Sequence, residues 1–155
     1  MGFREQFDNQ EWRALELAPF FILCGVSGRY RDFRVEEMQV FERWLDEASR
    51  APGNLNREVL GPVSGDVPAF AEEFDRYDET IVSGLSAVGR ILAGHPPIEV
   101  ELFRDALVNV LGAGITRARG PYGKQATAQG EQMLTMLDEF LRQGVAFPVE
   151  PGDAA

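Results

Sequence analysis

The chain has very little of what catalysis and cross-linking usually need. It holds one cysteine, Cys24, and one histidine, His95, in 155 residues. A lone cysteine cannot close an intrachain disulfide, so nothing in the sequence demands an oxidising compartment. Cys24 lies inside the apolar run Pro19–Val26 and reads as a small buried hydrophobe. His95 precedes two prolines after a helical stretch and reads as a loop or cap histidine near helix carbonyls. Basic residues are also scarce, 15 against 25 acids, for a net charge of −10. Such a chain repels nucleic acid and anionic membrane, which excludes both as default partners. No apolar run approaches the ~18 residues of a membrane span, and the run at 19–26 has the wrong flanks for a signal peptide. The expected location is the cytoplasm. No stretch alternates apolar and polar residues, so no sheet is expected.

What is present is a chain with a core. The apolar fraction is 45% and the charged fraction 26%, enough large side chains to offset chain entropy. The length suits one domain. We divide it into a lead-in (1–8), a helical domain (9–144) and a strand-like tail (145–155).

The helices are read from spacing and punctuation. Asp8 or Asn9 caps a first helix bearing Trp12, Leu15 and Leu17; Pro19 predicts a kink or a restart, and Phe20–Val26 is apolar on nearly every side, as in a buried helix. The loop Gly28–Arg34 follows, with Asp32 as the best cap and Glu36 and Glu37 in the next first turn. Val35, Met38, Phe41, Trp44 and Leu45 then recur at helical spacing until Pro52-Gly53. Asn54 is expected to cap a short helix, Leu55–Leu60, before the breakers Gly61, Pro62, Ser64 and Gly65. Further helices are expected after Asp66, from Thr80 to Ala93, and from Pro97 to about Arg117. After RARGPYGKQA, Thr127 is expected to cap a last helix that stops at Gly144. Met38, Phe41, Trp44 and Leu45 match Leu134, Leu137, Phe140 and Leu141 ninety-six positions on. This pseudo-repeat predicts an all-α, single-domain bundle of six to eight helices built from two helix–loop–helix halves.

Two segments carry the residues quoted for a family. EWRALELAPFFILCGVSG, a loop, and an amphipathic helix led by two Glu resemble the TerB-like, tellurite-resistance-associated helical domains. Near the C-terminus, Gly120, Tyr122, Gly123, Thr127 and Glu131 resemble the second family segment. The resemblance covers roughly 10–144, with the middle unmatched. It implies two similar helical halves, a bacterial cytoplasmic protein, roles in stress response and scaffolding, and an acidic loop–helix site for a divalent metal such as calcium.

The sequence departs from that pattern at the site itself. Ser27-Gly28 stands where the family has Asp-Gly, and a hydroxyl is a poor replacement for a carboxylate at a hard cation. Asp32, Glu36, Glu37 and Glu131 remain as oxygen donors for the metal reading. The two loops instead bring Arg29, Arg31, Arg34, Arg117, Arg119 and Lys124, six of the fifteen basic residues, with Tyr30, Phe33 and Tyr122 beside them. Clustered cations disfavour a bare metal ion and favour an anion or an acidic protein partner; the alternative is two solvated loops with weak local Arg–Glu pairs. Catalysis has little to build on: GPYG lacks the GK[ST] of a P-loop, and no nucleophile–base pair is visible. No catalytic residue and no cofactor are expected. Oligomeric state is not legible.

Overall fold

The computed structural model describes residues 2–28, 33–118 and 124–146. The described residues form seven helical rods and no strand: α1 (Asn9–Ser27), α2 (Val35–Ser49), α3 (Asn54–Gly65), α4 (Val67–Arg76), α5 (Ile81–Leu92), a composite rod, and α8 (Lys124–Ala146). The composite rod runs from α6 (Pro97–Asp105) through a π-helical segment (Ala106–Gly112) into α7 (Ala113–Ala118). The expected all-α bundle is therefore the fold.

α1 is the axis of the molecule. Thirteen of its nineteen residues are buried, and α2, α3, α4, α5, the π segment, α7 and α8 all pack against it. It starts at a reciprocal cap: Asp8 Oδ1 accepts the Glu11 N–H at 2.7 Å, and Glu11 Oε1 accepts the Asp8 N–H at 2.9 Å. It ends at Gly28, in left-handed conformation, whose N–H returns to the Cys24 carbonyl. Pro19 neither breaks nor restarts the helix. Buried packing on both sides of Pro19 outweighs the roughly 3 kcal/mol an interior proline costs. Around α1, Phe20 lies 5.0 Å from Phe41 of α2 and 5.3 Å from Phe74 of α4, while Phe21 meets Phe74 edge-on at 5.0 Å. Such aromatic pairs add about 0.5–1.5 kcal/mol each beyond area burial.

Several boundaries differ from expectation, each for a tertiary reason. α3 continues through Pro62 to Gly65 instead of stopping at Leu60, because Val63 finds a buried site. Asn54 is not its cap. The first amides of α3 are satisfied from α6, where Glu99 Oε1 accepts Asn54 N–H at 2.8 Å and Leu55 N–H at 3.0 Å. The lead-in is docked: Phe3 N–H donates to both Glu58 oxygens, at 2.8 and 3.0 Å, and Phe7 is buried beside Trp12. His95 stacks on Phe7 with ring centroids 4.3 Å apart, and its Nδ1 lies 3.2 Å from Gln6 Oε1. Its ring fastens the lead-in, and its backbone N–H donates to the Leu92 carbonyl at the end of α5 at 3.2 Å, so it also meets a helix carbonyl as expected. Thr127 lies inside α8, which begins at Lys124 and passes Gly144 to end at Ala146. The tail beyond 146 lies outside the described residues.

Candidate functional site at the junction of α2 and α7

α2 buries Phe41, Leu45 and Ala48, which turns Trp44 to the edge of the same face, half-buried. The short helix α7 crosses at this level. Gly114 meets the Trp44 ring so closely that a Cβ would overlap Cδ2, Cγ and Cε3. One turn on, Arg117 extends over the same indole, its guanidinium carbon 5.4 Å from the ring centroid. Arg43, next to Trp44 on α2, also reaches the ring at 5.4 Å. Two cations thus converge on one aromatic ring, each in a cation–π contact worth about 0.5–1 kcal/mol at an exposed site.

α7 is held from its other sides as well. Ile115 is in the core, and Thr116 is buried. The Thr116 hydroxyl donates to the Gly112 carbonyl at 2.9 Å, and its side chain packs against Gly130 of α8. The π segment sets this register: the Ala113 N–H reaches back five residues to the Val108 carbonyl.

Both arginines of the site stand outside the ion pairs among the described residues. Among the described residues no carboxylate lies within 4 Å of Arg43 or Arg117. Asp46, one turn past Arg43, is taken by Arg50 at 2.6 Å. The 25 positions from 106 to 130 hold no Asp or Glu. That acid-free stretch was the signal available in the sequence for this surface; Arg43 and Trp44 carried none, since Trp44 belongs to the apolar stripe of α2.

The expected site residues fall out as follows. Arg34 precedes α2 with an exposed side chain, and its backbone N–H donates to Glu37 Oε1 at 2.8 Å. About 1.5 Å of rise per residue puts roughly 15 Å along α2 between Arg34 and Trp44. Arg117 is therefore brought to α2, but about three turns from Arg34. Arg29, Tyr30, Arg31, Asp32, Arg119 and Tyr122 lie outside the described residues, and Lys124 opens α8. For the metal reading, Glu36 is exposed, the Glu37 carboxylate is engaged at the Arg34 N–H, and Glu131 is exposed on α8. Among the described residues no group of three or more His, Cys, Asp or Glu is gathered to hold a metal ion.

Comparison with protein-family models, with curated proteins and with solved structures finds no match. The geometry must therefore speak for itself.

The carboxyls with displaced proton affinity belong to other elements. Burial holds Glu16 of α1 above its ordinary value, against the opposing pull of Arg13, Arg4 and the Trp12 side chain. Arg13 lies 3.6 Å from Glu16 and also pairs with Glu73, so this group ties α1 to α4. Glu101 of α6 is held below its ordinary value, chiefly by the hydrogen bond from Arg104.

Proposed function

We propose that this chain is a non-enzymatic binding or scaffold module of the TerB-like type its sequence resembles, and that it engages an anion or an acidic partner through its basic loops, 29–34 and 117–124. The observation that carries the reading is the convergence of Arg43 and Arg117 on Trp44 with no carboxylate beside them among the described residues. In a chain of net charge −10, unneutralised arginines gathered on an aromatic ring are the feature least explained by solubility. Arg34 at the start of α2 and Arg29, Tyr30, Arg31, Arg119, Tyr122 and Lys124 of the two basic loops in the sequence are proposed as further contact residues. His95 and Cys24, the side chains most suited to acid–base or nucleophilic work, have structural surroundings: one fastens the lead-in, the other is buried in α1. A bacterial, cytoplasmic setting and a role in stress response go with the resemblance. No described helix is long and apolar enough to cross a membrane.

The test is capture of partners by the full chain against the Arg31→Glu/Arg119→Glu double variant. Loss of the bound proteins on charge reversal is the expected result. Retention of all of them overturns the reading.

A further inference from the structure

We infer that Arg43, Trp44 and Arg117 are the contact site itself, and that its ligand is a short acidic segment, rich in Asp and Glu, on a partner protein. The inference rests on the proposed binding role and narrows it to three side chains and one ligand class. Each guanidinium already rests against the indole, which restricts its freedom before a planar carboxylate docks on its fork. Bidentate Arg–carboxylate pairs are among the stronger and more directional polar contacts. Competition within the chain is weak. α7 carries no acid, Asp46 is held by Arg50, and Glu47, one turn from Arg43 on α2, makes no ion pair with it. The half-buried indole supplies an apolar edge for the aliphatic part of a Glu side chain.

The charge distribution selects among anions. The positive patch is local, and the chain around it is acidic. A short peptide places a few carboxylates on the patch and ends. A nucleic-acid duplex or an anionic bilayer extends its charge well beyond the patch and meets the acidic surface, where repulsion acts over about 8 Å at physiological salt. Inorganic phosphate fits the arginines but gains nothing from the indole.

The experiment measures fluorescence anisotropy of a fluorescein-labelled peptide of alternating Asp and Glu titrated with the full chain at low ionic strength. Arg43→Gln and Arg117→Gln are each expected to weaken binding roughly tenfold, the scale of a lost charge-assisted contact, while Arg90→Gln, an exposed arginine of α5, leaves it unchanged. Circular dichroism of each variant reports that the helices remain. As a second readout, the peptide shifts the indole emission of the wild type, and the shift disappears in Trp44→Phe, whose remaining Trp12 is buried. No binding by the wild type, full binding by the Arg43→Gln/Arg117→Gln double variant, or tighter binding of phosphate, duplex DNA or phosphatidylserine vesicles than of the peptide overturns the inference. If Arg31→Glu/Arg119→Glu loses captured partners while Arg43→Gln/Arg117→Gln keeps both partners and peptide, this contact site falls and the broader binding role stands. If both variants keep every partner, both fall.

Discussion

Gly84 sits beneath the Phe21 ring, and a Cβ there would lie 2.5 Å from ring carbons Cε2 and Cζ. Two effects oppose each other in Gly84→Ala. Helix propensity favours alanine by about 1 kcal/mol, while overpacking a filled core costs about 1–3 kcal/mol. Phe21 is fully enclosed and has nowhere to move, so the substitution is expected to destabilise, by about 1 kcal/mol net; urea denaturation checks it. Glu16 gives a pH-dependent case. Its folded proton affinity is raised by burial, so the folded chain binds this proton more tightly than the unfolded chain. Stability therefore falls as pH rises from the unfolded value of 4.5 through the raised folded value. Glu16→Gln is expected to match wild type below that window and to melt higher above it, read from thermal melts at several pH values. The burial of Cys24 was legible in the sequence from a wholly apolar neighbourhood. The positions of Glu16 and Arg13 were not, because charged residues on a helix signal solvent unless a partner from another element is known.

The composite rod shows what spacing can and cannot settle for an element. Its stripe of Val100, Phe103, Leu107, Leu111 and Ile115 was readable as one long helix from Pro97, and the rod has that extent. The π segment was invisible, because nothing in ALVNVLG differs in composition from an ordinary buried turn. The same rod is fastened to α8 by an ion network that the sequence did not announce. Arg104, buried, donates to Glu101 and meets Asp138 at 3.0 Å, and Arg142 lies 2.9 Å from Asp138 and 3.7 Å from Glu101. Removing the buried cation leaves Asp138 with Arg142 as its one remaining partner among the described residues, on the solvent side. Arg104→Met is expected to destabilise by about 2 kcal/mol, below the 3–5 of a fully buried pair because Asp138 is partly solvated; chemical denaturation measures it. Glu101 runs opposite to Glu16 in pH. Its folded affinity is lowered, so its contribution is present above pH 4.5 and is lost as pH falls through the folded value. Exposure keeps that contribution small. Glu101→Gln is expected to flatten the acid limb of the stability curve, visible in melts taken as the pH is lowered from neutrality.

For the molecule as a whole, the net charge of −10 and the local basic site give opposite responses to salt. Shortening the screening length from about 8 Å to about 3 Å relieves self-repulsion, so the melting temperature is expected to rise. Over the same range the affinity for an acidic peptide is expected to fall, since that contact depends on attraction between exposed charges. Calorimetric melts and anisotropy titrations at matched salt report the two trends side by side; affinity that holds steady at high salt contradicts an arginine–carboxylate contact.

The sequence by itself determined the helical class, the burial of the first helix and most helix spans, because these follow from the spacing of apolar residues along one chain and from local caps such as Asp8. Tertiary structure alone decided that Pro19 is carried without a break, that Glu99 caps a helix more than forty residues earlier, and that Arg117 meets Arg43 on Trp44. Those outcomes depend on which helix faces cross, and at what height. Periodicity says which face of a helix is buried, but not which residue of another helix will stand opposite it.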